Sequence, residues 1–181
     1  MSYVLGDIRK IDSAAVNGLS GVAGSLAYHI LTIENYFQNT ERWYGRNAGT
    51  GLMELDNPAP WSVVAGALAT DYGTEVMLSD GTVIEGGDPT KLYNFQRIFI
   101  TGTDVNDATF HLQFWHGLTT FAAATLRTST VFRAASASER STALALMSPK
   151  SPCNYKLWAR CKCQTGGRYI AFLIGIHTYI P

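Results

Sequence analysis

Residues 155–180, YKLWARCKCQTGGRYIAFLIGIHTYI, decide the fold. Tyr155, Leu157, Ala159, Cys161 and Cys163 fall on alternate positions, with Lys156, Trp158, Arg160 and Lys162 between them. Successive side chains of a strand point to opposite faces, so the first set shares a dry face and the second a wet one. Gln164-Thr165-Gly166-Gly167 then turns the chain, and Ile170, Phe172, Ile174 and Ile176 form the apolar row of the return strand. The segment reads as a β-hairpin with one solvated side. Gly175 interrupts the return strand where a missing Cβ allows a close backbone approach or a bulge.

The same period of two runs upstream. In Leu92–Thr101, Leu92, Asn94, Gln96, Ile98 and Ile100 alternate with Tyr93, Phe95, Arg97 and Phe99. In Ala108–His116, Phe110, Leu112 and Phe114 oppose His111, Gln113 and Trp115. Trp61–Leu68, Glu75–Leu78, Thr82–Glu85, Phe121–Phe132 and Thr142–Met147 are further strand candidates, with a Gly-containing turn at Ser79-Asp80-Gly81. About eight closely spaced strands without intervening helices predict a mainly β domain, an antiparallel β-sandwich, and specifically a jelly-roll-like one.

Residues 12–40 differ. Leu19, Val22, Leu26, Ile30, Ile33 and Phe37 recur at helical spacing behind Asp12 or Ser13 as N-cap, predicting one N-terminal helix. Gly18, Gly21 and Gly24 weaken its first half, leaving 25–39 as the stronger part. The stripe either packs on its own domain or forms a seam between copies, with a trimer as the expected assembly; it is too short to hold a coiled coil alone. The expected organisation is an arm and helix over 1–45, a connector over 46–60 around Asn47-Ala48-Gly49-Thr50-Gly51, and a β-sandwich over 61–181.

Apolar residues make up 46% of the 181 and charged residues only 15%, against about 25% in ordinary soluble domains. The shortfall predicts surface that partners cover. Fourteen basic and fourteen acidic residues cancel, with no Lys/Arg block, which argues against an electrostatically driven nucleic-acid binder. No apolar run approaches the roughly 18 residues of a membrane-spanning helix. Met1–Asp7 lacks a basic n-region and an apolar h-region, so synthesis in a cytoplasm is expected. The three cysteines, Cys153, Cys161 and Cys163, crowd together instead of spanning a disulfide framework.

Chemistry-bearing patterns are sparse. Cys161-Lys162-Cys163 has strand spacing rather than the tight-turn spacing of zinc ligands, so the cysteines read as small buried hydrophobes and no metal or cofactor is expected. No G-x-S-x-G elbow occurs, and His29, His111, His116 and His177 fall on helix or strand faces, where structural roles are expected. Asp80, Glu85, Asp88, Asp104 and Asp107 read as solvated or turn-capping groups. No catalytic residues are assigned, and a non-enzymatic protein is expected. Leu26, Ile30, Ile33, Phe37, Trp43, Tyr44 and Trp158 are the candidate interface residues. Trp158, outward between Lys156 and Arg160, suits an interface, a cover by a loop of its own chain, or a stacked ligand.

Val4–Leu19, Glu41-Arg42-Trp43-Tyr44-Gly45, Tyr93–Ile98, Leu157-Trp158-Ala159-Arg160 and Ile174–Tyr179 together resemble structural proteins of tailed bacteriophages and environmental phage sequences. The resemblance implies a virion component, a capsid decoration (cement) or head-surface protein. Such proteins are often β-rich and trimeric, and are made in the host cytoplasm. The implied partners are further copies of the chain and the major capsid protein or another virion protein, with neither nucleic acid nor membrane. A receptor- or carbohydrate-binding module of a phage fibre is the alternative.

Overall fold

A computed structural model describes residues 41–47, 51–54, 59–137, 140–141 and 143–179. The helix expected over 12–40, with Leu26, Ile30, Ile33 and Phe37, lies outside the described residues. The described residues form eleven strands in chain order: β1 (Glu41–Asn47), β2 (Gly51–Glu54), β3 (Trp61–Val64), β4 (Val76–Ser79), β5 (Leu92–Thr103), β6 (Ala108–Gly117), β7 (Thr125–Ala134), β8 (Leu144–Ala145), β9 (Ser151–Pro152), β10 (Lys156–Cys163) and β11 (Tyr169–Tyr179).

They form two antiparallel sheets. One has seven strands in the order β2-β1-β11-β5-β8, with β3 also on β11 and β9 on β5; the other has four in the order β4-β10-β6-β7. The mainly β, antiparallel expectation is met. The chain passes repeatedly from sheet to sheet: β3 lies in the larger, β4 in the smaller, β5 in the larger, β6 and β7 in the smaller, β8 and β9 in the larger, β10 in the smaller and β11 in the larger.

The hairpin expected over 155–180 is therefore corrected. Strand β10 pairs with β4 and β6, and β11 pairs with β1, β3 and β5, so the Gly166-Gly167 turn carries the chain across the core. Both glycines adopt positive φ, 63° and 60°, the region where a Cβ is unfavourable. The period-two pattern is the same in either arrangement. Apolar rows on two strands of one sheet and rows facing one another across two sheets alternate identically.

Those rows make the core. Ile170, Phe172, Ile174 and Ile176 of β11 and Tyr93, Phe95, Ile98 and Ile100 of β5 face Phe110, Leu112 and Phe114 of β6 and Leu157, Ala159, Cys161 and Cys163 of β10, all buried. Phe114 lies 5.4 Å from Phe95 and 5.6 Å from Phe172, ring centre to ring centre, binding the sheets at their middle. Burying each such side chain stabilises the fold by about 1.5–3 kcal/mol. At the β3 end, the Cys161 thiol donates to the Val63 carbonyl at 3.3 Å, and Ala65 forms a parallel bridge with Cys161.

Strand β5 departs from simple alternation. Opposite β11, Gly175 pairs with Arg97 and Ile176 with Phe95, so Gln96 is an extra residue. This bulge reverses the phase. Tyr93 and Phe95 before it, and Ile98 and Ile100 after it, all point inward, where strict alternation separates the two pairs. Three shorter segments also differ. Thr82–Glu85 is a bend entering a 3-10 turn (Ile84–Gly87), because Glu85, Gly86 and Gly87 all take positive φ. Phe121–Ala123 is a 3-10 turn preceding β7, and Trp61–Leu68 is strand only to Val64. Residues 41–47, expected in the arm and connector, form a strand on β11.

Candidate functional site

Tyr44 and Trp43, neighbours in sequence, point to opposite sides of β1. Tyr44 stands directly opposite Ile174 of the inward row and is 2% exposed, so it is a core residue rather than a contact residue. Trp43 stands opposite Gly175 on the outer face of the larger sheet, edge-on to Phe99 at 6.5 Å, with the Glu41–Arg97 ion pair (3.5 Å) nearby. Trp158 belongs to the outer face of the smaller sheet. The three described aromatics expected at an interface thus occupy three different environments.

The outer face of the smaller sheet is the most built of these surfaces. Register places three rows across it. Met77, Trp158, Trp115 and Leu126 lie side by side; Arg160, Gln113 and Ser129 form the next row; Lys162, His111 and Val131 form the third. The 3-10 turn after β6 brings Phe121 back over the first row, 5.2 Å from Trp115 and 6.2 Å from Trp158. This cover leaves Trp158 only 5% exposed. Trp158 faces outward as its spacing requires, but a loop of its own chain occupies the contact surface.

What remains open is the region around Arg160. Its guanidinium carbon lies 4.6 Å from the centre of the Tyr72 ring, 4.8 Å from Trp115 and 5.4 Å from Phe121. Arg160 Nε donates to Gln113 Oε1 at 2.9 Å, and Trp115 Nε1 donates to the same oxygen at 3.3 Å. Lys162 Nζ lies 5.3 Å from the Tyr72 ring. Aromatic faces attract cations by about 0.5–2 kcal/mol each, so the rings hold the guanidinium plane in place. No carboxylate among the described residues pairs with Arg160 or Lys162. Met77, Leu126 and Val131, all exposed, add apolar surface to the same face.

Beside Tyr72 the loop between β3 and β4 borders an open recess of about 480 Å³ lined by Ser62, Val64, Asp71, Tyr72, Thr74 and Glu75, among others. Its shape depends on backbone approach. Gly73 donates its N–H to the Cys161 carbonyl at 2.8 Å, and an added Cβ there would sit 1.8 Å from the Val64 oxygen.

The carboxylates read as structural from sequence have structural partners. Asp80 accepts from the Thr82 hydroxyl and amide, Asp88 from those of Thr90, and the hydrogen bonds hold both below the ordinary carboxylate range. Glu85 is lowered mainly by Lys91, 2.8 Å away, and also accepts from Thr178 at 3.2 Å. Asp104 Oδ1 caps the Tyr169 amide at 2.9 Å, and Asp107 pairs with Arg133 at 2.8 Å. None of the three shifted carboxylates moves upward, as a general acid at neutral pH requires. Burial pushes the Cys153 and Cys161 thiols up to about 12, which keeps them protonated and weakly reactive. His116 is buried with its ring 4.8 Å from Tyr155; burial, and then the Arg127 charge, lower its pKa to about 4. Among the described residues no three His, Cys, Asp or Glu side chains cluster as metal ligands.

Sequence reasoning found Trp158 but not the Arg160 cluster. The outward Lys156-Trp158-Arg160-Lys162 row was a usable signal, whereas Tyr72 and Phe121 come from loops whose placement no periodicity encodes. No family model matches the chain, and no curated protein matches it in sequence.

Proposed function

We propose that this chain is a non-enzymatic virion structural protein, of capsid decoration or head-surface type, that attaches to a neighbouring protein through the outer face of its smaller sheet. One observation carries the reading. That face combines exposed Met77, Leu126 and Val131 with a ring-held arginine that has no carboxylate partner among the described residues. Aromatic and arginine side chains beside apolar ones are the composition of protein-interface centres.

The strand order supports the jelly-roll part of the reading. With β1, β2 and β9 set aside, the remaining eight strands run β3-β11-β5-β8 and β4-β10-β6-β7 with the chain alternating between sheets, an order that favours the two Greek keys of that fold. Jelly rolls recur in viral capsids and also in lectins and cupins, so the fold alone does not choose a function. Low charge content and the sequence resemblance favour the virion reading. Self-association as a trimer, the assembly expected from the sequence of residues 19–37, belongs to the same reading. Light scattering on the purified chain should then give about three times its 19.7 kDa; a monodisperse single-chain mass at micromolar concentration would remove self-association.

Attachment is tested on washed particles. Met77→Glu and Val131→Glu place charge on the proposed contact face without touching the core, and each should lower retention on particles while leaving thermal unfolding unchanged. Equal retention of wild type and both variants would refute the face. The recess beside Tyr72 favours a second reading, carbohydrate binding, since it joins an aromatic ring to Asp71, Thr74 and Glu75. A glycan array tests it, with Tyr72→Ala as the expected loss-of-binding variant.

A further inference from the structure

Arg160, on the outer face of the smaller sheet, is held from several sides. Tyr72, Trp115 and Phe121 surround its guanidinium, and Gln113 takes its Nε proton. The two terminal nitrogens have no acceptor among the described residues. Their N–H groups form a fork whose plane is already fixed, the arrangement that receives a carboxylate through two parallel hydrogen bonds. Lys162 lies beside it over the same Tyr72 ring, and its cross-strand neighbour is His111. Two cations thus share one ring, and among the described residues no acidic side chain pairs with either.

We propose that Arg160 and Lys162 form a carboxylate-binding site, and that its occupant is an acidic segment of the neighbouring protein. This rests on the reading of the outer face as the contact surface and names the chemistry of the partner. Two observations favour a polypeptide over an acidic sugar. At this site the ring faces turned to Arg160 and Lys162 are already engaged by the cations, at 4.6 to 5.4 Å, and a sugar here would have to stack elsewhere, as in the recess bordered by the β3–β4 loop. Exposed Val131 and Met77 flank the site and match apolar side chains interspersed with Asp or Glu. Ordering Arg160 before binding spares the complex the conformational cost of fixing a long side chain.

The test uses the full chain with poly-L-glutamate as probe, read by calorimetry and by tryptophan fluorescence, since Trp115 touches Arg160. Wild type should bind, more weakly as salt rises. Arg160→Lys keeps the charge but removes the fork and should weaken binding about tenfold. Lys162→Gln, at the rim, should weaken it less, and Arg133→Gln, whose charge is paired with Asp107, should leave it unchanged. Polygalacturonate, which presents carboxylates on a sugar chain, should bind about tenfold more weakly than polyglutamate. Absence of polyglutamate binding, an Arg160→Lys variant that binds like wild type, or equal binding of the two polymers would each overturn the proposal. If Arg160→Lys unfolds, Lys162→Gln against Arg133→Gln carries the same comparison. Retained polyglutamate binding by a protein that fails to hold particles would remove the attachment reading and leave the site; the converse would remove the site alone.

Discussion

His116 gives the fold a defined pH weakness. It sits at an inward position of β6 and is buried, with Nδ1 lacking a partner among the described residues. Its pKa falls from 6.5 to about 4, first because burial disfavours the imidazolium and second because Arg127 is near. Between these values the unfolded chain takes up a proton that the folded chain refuses. Unfolding therefore binds protons, and stability falls as pH falls. At about 1.4 kcal/mol per pH unit over the roughly 1.5 units from 6.5 to 5, the loss is about 2 kcal/mol. The folded ring is still neutral at pH 5, and Asp80, Glu85 and Asp88, all lowered, remain ionised there. Urea unfolding of wild type and His116→Phe at pH 7.5 and pH 5 isolates the effect. Phenylalanine keeps a ring against Tyr155 and cannot titrate, so the wild type should lose about 2 kcal/mol more than the variant. An equal loss in both proteins would refute the assignment of the pH dependence to His116.

Phe114→Ala removes the ring that joins Phe95 and Phe172 across the sheets, and should cost about 3–5 kcal/mol in urea unfolding; a loss below about 1 kcal/mol would mean that the sheets close without it. Gly73→Ala forces a Cβ against the Val64 carbonyl, a backbone atom that cannot swing aside. It should destabilise by about 3 kcal/mol, and an unchanged denaturation midpoint would contradict the described path of the loop. Phe121→Ala should leave stability within about 1 kcal/mol but expose Trp158, read as a red shift and increased quenching of tryptophan emission by iodide. Unchanged quenching would show that Phe121 is not the cover.

The long strands were legible because their inward rows are nearly unbroken: Phe110, Leu112 and Phe114 in β6, Leu157 to Cys163 in β10, and Ile170 to Ile176 in β11. Their assignment to sheets was not. A turn such as Gly166-Gly167 leads equally to a neighbouring strand or across a sandwich, and only the competition of β4 and β6 for the edges of β10 decides. The Gln96 bulge hid the true inward set of β5, since one unpaired residue reverses the positions after it until the second register shift at Thr101. The inward direction of Tyr44 is not legible locally, because polar residues flank its strand and the direction follows from pairing with Ile174, more than a hundred positions away. At the candidate site the sheet contributed a readable row, while the groups that hold Arg160 from the side, Tyr72 and Phe121, depend on loop paths set by tertiary contact. Asp80 and Asp88 cap the turns that follow them, as their spacing suggests, whereas Glu85, expected to be solvated or turn-capping, is a part-buried partner of Lys91.

The lysines on the outer face of the smaller sheet report directly on whether that face is a contact surface. Lysine reactivity, measured by acylation and mass spectrometry on free protein and on intact particles, reads Lys156 and Lys162 on that face against Lys91, which is paired with Glu85. Attachment through this face should strongly protect Lys156 and Lys162 in particles and give carbodiimide cross-links from them to carboxylates of another chain, with Lys91 unchanged. Equal labelling of Lys156 and Lys162 in the free and particle-bound protein would contradict it.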